Sequence, residues 1–388
     1  MSKTLEVYRL KGLPFELGRY DVQRIGRAAE WERLLGIVQS ARESRSPVTG
    51  VLLGTYGAGK SFLLWHLAKE LQPPKKTGVF AFGPIRLIDP EQKKDFTRSL
   101  VLRLFSRGID IETQLVPLLV GISKAKINAP ASLRPFVDLL LALARSDGAV
   151  VARRVITGGR ALRKEAQQAG IEETQQIKTP DDAIALLQAF QIVMRAAGVA
   201  AVAVMIDEVE YVDALPKGQR TAVVDSLKHL WDQEVEFFSR GAEGAQLLML
   251  LAATPNFWQR MRSQVLVEGG RGESAVGITP FFARIRPSDI VEMPAELAPD
   301  EARDLIVNRM TEVRSGAGLK KEDIIPFTDD YVDYVYELSQ GLPRQIIEIC
   351  GVVISEAAKK KLRSIDAAAA KKILRDLLIS YEPVAAKE

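Results

Sequence analysis

The residues Gly54-Thr55-Tyr56-Gly57-Ala58-Gly59-Lys60-Ser61 fit the spacing G-x-x-x-x-G-K-[ST] of a loop that holds phosphate. In such a loop the glycines let the backbone turn its amides onto an anion. Lys60 would neutralise charge on the β- and γ-phosphates, and Ser61 would offer a hydroxyl oxygen to Mg2+. Ala58 and Phe62 complete the expected lining on either side of Lys60 and Ser61. Far along the chain, the apolar run Ala201 to Ile206 ends in Asp207-Glu208. A carboxylate pair in that place stands at the carboxyl end of a strand, where open α/β sheets bind their ligands. Asp207 is expected in the Mg2+ shell. Glu208 is expected to orient and polarise a water, because phosphoryl transfer needs an in-line nucleophile more than covalent help. Together the two segments predict ATP hydrolysis. A water-activating glutamate argues against a small-molecule kinase, in which it would waste ATP.

Three further groups are candidates. The run Leu247 to Ala253 ends in Thr254-Pro255-Asn256, which places polar groups at a strand tip beside Asp207. Thr254 or Asn256 could touch the γ-phosphate or the water, and the alternative is a plain turn opened by a proline. In Phe281-Phe282-Ala283-Arg284-Ile285-Arg286-Pro287, Arg284 or Arg286 could reach a neighbouring subunit's site, or both could be solvated surface arginines. Ser339-Gln340-Gly341-Leu342-Pro343-Arg344 joins a helix end, a glycine stop and a proline start, which presents Arg344 on the first turn of the next helix.

The elements that position these residues follow from apolar spacing. Trp31, Leu34, Leu35 and Val38 predict a helix within 20–43, after a short lead containing Ile25-Gly26-Arg27. Val51 to Leu53 predicts a strand, and Ser61 to Leu71 a helix. Val79 to Phe82 predicts a second buried strand, followed by a helix over Lys93 to Phe105. Ala200 to Ile206 and Gln246 to Ala253 read as parallel strands buried on both faces, with a helix near Thr221 to Phe238 between them. A weak final strand falls near Asp289 to Met293, and helices continue to the end. Lys60 and Asp207 stand 147 positions apart, too far for one crossover. Residues 106–197 are therefore read as a helical insertion, broken by Pro117, Pro130 and Pro135 and turned at Gly158-Gly159. The domains expected are 1–295 for the α/β core and 296–388 for an all-helical lid.

Bulk composition bounds the rest. The chain has 388 residues, 47% of them apolar and 26% charged, enough to bury a sizeable core. No run approaches the length of a membrane span, and the start lacks a signal-peptide pattern, so a cytoplasmic protein is expected. The single Cys350 excludes an internal disulfide, and His66 and His229 are the only histidines. Any metal is then expected to arrive with nucleotide as Mg2+. A net charge of +4 leaves the partner open. Basic residues clearly outnumber acidic ones between Lys93 and Lys164, a stretch that could contact DNA phosphates or be merely solvated.

Taken together these residues resemble AAA+ ATPases of the origin-recognition type. Arg24-Ile25-Gly26-Arg27-Ala28-Ala29-Glu30 looks like their G-R-x-x-E box, which packs near adenine and brings in Ile25. Asp207-Glu208 matches their Walker B pair, Thr254 or Asn256 their first sensor, and Arg284 their arginine finger. Gly341-Leu342-Pro343-Arg344 matches their G-x-P-R second sensor. The resemblance covers about residues 20–88 and 198–375. It implies a five-stranded parallel core, a helical lid, and ATP held between subunits of a homo-oligomer. Ile156 to Arg160, Lys178 to Ala183, Arg195 to Gly198 and Ile206 to Glu210 are in turn similar to the ATP-binding proteins of BREX-type phage-defence loci, which share a long helical insertion. Two functions are expected: a DNA-directed loader, remodeller or motor, or an ATP-gated switch that recruits a protein effector.

Overall fold

A computed structural model describes residues 5–72, 74–88, 95–168, 176–267, 281–282, 284–314 and 324–377. The chain divides into two compact units. One comprises Ala29–Leu53 and Leu63–Glu292; the other comprises Met1–Ala28, Gly54–Phe62 and Met293–Glu388.

The first unit is built on a five-stranded sheet. Its strands are β1 (Val48–Leu53), β2 (Val79–Arg86), β3 (Ala201–Asp207), β4 (Gln246–Ala253) and β5 (Ile290–Glu292). They lie in the order β2-β3-β4-β1-β5 and every pairing is parallel. This is the α/β class and the five-stranded parallel sheet expected from the sequence. Every residue of β1 and β3 is buried, as near-continuous apolar runs require when helices cover both faces of a sheet. The helix Ala28–Glu43 comes so close to β1 that a Cβ on Gly50 would lie 3.0 Å from Ile37 and 2.7 Å from Leu250. β2 runs four residues beyond the Phe82 at which the sequence pattern ends. Its register shifts between Phe82 and Ile85, and Gly83 takes φ +108° with no room for a Cβ beside the Met205 carbonyl. The strand thereby resumes past Gly83-Pro84 and carries Arg86 level with Asp207.

The insertion is helical as expected, with helices Val116–Ile122, Arg134–Ala142, Ala149–Ile156, Arg163–Gln168 and Pro180–Ala196 and no strand among its described residues. The last of these starts at a capping box, in which the Thr179 hydroxyl accepts from the Asp182 amide and Asp182 accepts from the Thr179 amide. Phe80 and Phe82 of β2 meet Phe105 and Phe190 in edge-on and tilted ring contacts with centroids 5.0–5.3 Å apart. The helices Phe96–Arg107 and Pro180–Ala196 are thus fixed onto the β2 edge of the sheet, and one apolar core runs from the sheet into the insertion.

The second unit is a helical bundle of Pro299–Val313, Asp329–Ser339, Pro343–Lys359 and Ala367–Asp376. Leu5, Tyr8, Leu10 and Phe15 from the amino-terminal segment enter its core. Arg309 secures that segment: it is 4% exposed and donates to the carbonyls of Glu16 and Arg19. Burial lowers its pKa, yet carbonyl partners keep the buried guanidinium tolerable. Among the described residues no helix is long and apolar enough to cross a membrane.

Candidate functional site

The phosphate loop leaves β1 at Leu53, level with Ala253 of β4, and runs into the eleven-residue helix Lys60–Glu70. Gly57 and Gly59 take φ +85° and +100°, conformations that an L side chain resists, so the two glycines are needed to form this curve. Ala58 is buried and its amide donates to the Thr55 carbonyl at 3.2 Å. Lys60 is 7% exposed; its Nζ donates to the carbonyls of Gly54 at 2.8 Å and Thr55 at 3.2 Å. The ammonium is therefore held by the loop itself. Gly54 is close-packed, with a built Cβ 3.3 Å from Lys60 Cγ and from Met293 Cβ. Ser61 and Phe62 are half-buried on the first helical turn, which has no acidic residue, and the Phe62 ring lies 6.4 Å from that of Tyr20. Left-handed glycines, a helix amino terminus and an inward lysine fit a polyphosphate.

Arg344 belongs to the same unit as the loop. Gln340 and Gly341 both have positive φ, and a Cβ on Gly341 would come 2.8 Å from the Leu297 carbonyl, so the glycine stop is sterically required. Pro343 then opens the next helix and puts Arg344 on its first turn, as the sequence indicates. The Arg344 amide donates to the Gly57 carbonyl at 3.4 Å, and its guanidinium carbon lies 4.6 Å from the centroid of the Tyr56 ring. Its Nε donates to Glu348 at 2.8 Å. Ile25 is half-buried and leads into a turn in which Gly26 and Arg27 both have φ near +60°. The Glu301 carboxylate fills the space that a Cβ on Gly26 would need.

In the sheet unit, Asp207 is the last residue of β3 and is 8% exposed. Its Oδ1 accepts the Glu208 amide at 2.9 Å. Glu208 sits at φ 56°, ψ 41°, a left-handed conformation uncommon outside glycine that turns the chain sharply off the strand. Arg86, at the end of β2, forms an ion pair with Glu208 through Nε, and its Nη2 donates to Glu208 Oε1 at 3.4 Å. The acidic strand is not next to β1, because β4 lies between them. Ile206 pairs with Leu251, which brings Asp207 level with Ala252 and puts Thr254 just beyond the strand tip. Thr254 is half-buried and caps the helix Pro255–Val267, its carbonyl accepting the Trp258 amide at 3.0 Å; Asn256 is exposed on the first turn. The hydroxyl of Ser61 and the carboxylate of Asp207 are hard oxygen donors of the kind Mg2+ takes. Among the described residues no group of three or more His, Cys, Asp or Glu could hold a metal unaided.

The two arginine-finger candidates both have partners within the sheet unit. Arg284 Nη1 lies 2.5 Å from Asp232; Arg286 pairs with Asp289 at 2.6 Å and donates to the Ser40 hydroxyl. The basic stretch is partly neutralised in the same way. Arg134 pairs with Asp138, Arg153 with Glu112 and Arg154 with Glu165, at 2.9–3.2 Å, while Arg98 and Arg103 donate to the carbonyls of Ile177 and Leu87. Lys93, Lys94 and Ala283 lie outside the described residues. Sequence reasoning overlooked Arg86 and Glu348 and found Tyr56 uninformative by itself. The only signal was spacing: Glu348 stands four positions after Arg344, and Arg86 four after the apolar run of β2.

No family model matches the chain. A stretch of 91 residues, 24% of the chain, is 35% identical to an uncharacterized HTH-type transcriptional regulator of Methanocaldococcus jannaschii. The match spans 21% of that protein, about a fifth of its length. A solved structure of the Aeropyrum pernix ORC1 protein in complex with DNA aligns over 94% of this chain and 68% of its own, with a TM-score of 0.44 and 11% identity.

Proposed function

We propose that the chain binds ATP with Mg2+ and hydrolyses it, and that this turnover is directed by DNA. The observation that carries the reading is the phosphate loop, in which two left-handed glycines and the inward Lys60 follow a buried parallel strand and open a helix. A second sheet feature supports it: a strand one position removed from β1 ends in Asp207-Glu208. Lys60 and the amides of Gly57, Gly59, Lys60 and Ser61 bind the β- and γ-phosphates, and Ser61 and Asp207 are the residues that would hold Mg2+. The bound ion would supply neutralisation of charge on the phosphate oxygens. Glu208 accepts a hydrogen bond from the attacking water and takes its proton at a carboxylate oxygen; Thr254 or Asn256 orients that water; Arg344 meets the terminal phosphate. The resemblance to origin-recognition ATPases supports a homo-oligomer in which Arg284 or Arg286 exchanges its partner for a neighbour's nucleotide. The resemblance to BREX-type proteins supports a cytoplasmic role in phage defence.

A second reading has one observation in its favour. Arg86 forms an ion pair with Glu208, which would hold the carboxylate back and so suits an ATP-gated switch that turns over slowly and recruits a protein effector. Steady-state ATP hydrolysis with and without single- and double-stranded DNA, at two salt concentrations, separates the two. Salt-sensitive stimulation is expected; activity indifferent to DNA would replace the first reading by the second. Hydrolysis unchanged in Lys60→Ala would overturn both.

A further inference from the structure

Tyr56 occupies a variable position of the phosphate loop, yet it makes a specific contact. It is 66% exposed, so it has no part in the core, and the Arg344 guanidinium lies over its ring. Residue 57 permits this approach only as glycine, because a Cβ there would lie 2.9 Å from Arg344 Cβ. A guanidinium carries five N–H donors in one plane. The guanidinium carbon sits over the Tyr56 ring, 4.6 Å from its centroid, and Glu348 takes the Nε donor at 2.8 Å. The two Nη atoms make no hydrogen bond among the described residues. The ring and the carboxylate therefore hold the guanidinium at two points and leave its two Nη atoms for a ligand, the pair that can donate to two phosphate oxygens side by side. A free arginine would have to lose considerable rotamer freedom to reach that arrangement, and the contact removes part of the loss before ligand arrives.

We propose that Tyr56 is a positioning residue for nucleotide selection: its ring holds Arg344 beside the loop, ready for a terminal phosphate, and so favours a nucleoside triphosphate over a diphosphate. This rests on the ATP-binding reading above and adds to it a device for telling substrate from product. Because a cation acts on the face of the ring, the tyrosine hydroxyl is dispensable and the aromatic face is not.

The test is the ratio of ADP to ATP dissociation constants, measured by titration calorimetry on the full chain in Mg2+ for the unsubstituted protein, Tyr56→Leu, Tyr56→Phe, Arg344→Ala and the Tyr56→Leu/Arg344→Ala double variant. Tyr56→Leu should lower the preference for ATP by about two- to fivefold, the scale of a part-exposed cation–ring contact. Tyr56→Phe should keep it, and Tyr56→Leu should have no further effect once Arg344 is gone. A preference unchanged in Tyr56→Leu, or lowered as much in Tyr56→Phe, would overturn the proposal while leaving ATP binding intact. Equal losses from Tyr56→Leu with and without Arg344 would also overturn it, because they would come from a distorted loop. Lys60→Ala serves as the control. If the unsubstituted protein shows no Lys60-dependent ATP binding, the ATP reading itself fails, and the proposal with it.

Discussion

Two carboxylates of the sheet unit show how differently one side chain is treated at the sheet edge and in the interior. Glu208, at the carboxyl edge, is 27% exposed and shares its charge with Arg86. Glu234 lies inside the helix Lys217–Ser239 and is fully buried. Its Oε2 accepts from the Gln191 amide nitrogen at 2.8 Å, while Oε1 has no hydrogen-bond partner among the described residues. Burial pushes the Glu234 carboxyl up to about 7, because the Gln191 and Gln188 amides offset only part of the loss of water around a negative charge. The edge site offers Glu208 a cation and water, whereas the interior disfavours the charged form of the same group.

The largest effect that would sharpen this contrast is at the edge. Glu208→Gln removes the proton acceptor while keeping the shape, and turnover should fall about 100-fold or more with ATP affinity little changed. Single-turnover hydrolysis alongside equilibrium ATP binding checks it, and a variant that hydrolyses normally would remove Glu208 from the chemistry.

The interior carboxylate should appear in stability rather than in turnover. With its pKa raised from 4.5 to about 7, the folded chain holds a proton that the unfolded chain has released between those values. Stability therefore falls as pH rises through that window and levels off above it. The full change is roughly 3 kcal/mol by the conversion of pKa shift into free energy. Urea denaturation at pH 5 and pH 8 measures it, and Glu234→Gln, which cannot ionise, should remove most of this contribution. An unaltered difference in the variant would mean that other groups set the pH dependence.

Many of the candidate residues were legible in the sequence because each rests on local spacing. The loop follows from glycines and Lys60, the strands from uninterrupted apolar runs, and the Gly341 stop from its neighbours. What remained hidden depends on tertiary placement. Leu5, Tyr8, Leu10 and Phe15 have no helical or strand period, yet they fill the core of the carboxyl-terminal helices. The Phe80, Phe82, Phe105 and Phe190 cluster joins residues more than a hundred positions apart, so a stretch that reads as a separate insertion shares the core of the sheet. Arg86 was missed because Gly83-Pro84 looks like the end of β2, whereas the strand resumes after a shift in register. Glu234 reads as one more polar residue of a long helix, and only packing against Gln191 shows that it is dry.

The smallest expected effect tests whether the edge pair restrains Glu208 or aims it. Arg86 is 62% exposed, so its pair with Glu208 is screened by water and is worth about 0.2–1 kcal/mol. Removing it in Arg86→Ala should shift thermal stability little. If the pair holds Glu208 away from its working position, basal ATP turnover should rise by up to about fivefold, the factor that so weak a contact can supply. The gain should shrink at high salt, where the pair in the unsubstituted protein is already weakened. A fall in turnover would show instead that Arg86 aims the carboxylate. The edge would then use its cation as the interior uses Gln191, to hold a carboxylate in place, and the two regions would differ in how strongly burial disfavours the charge on it.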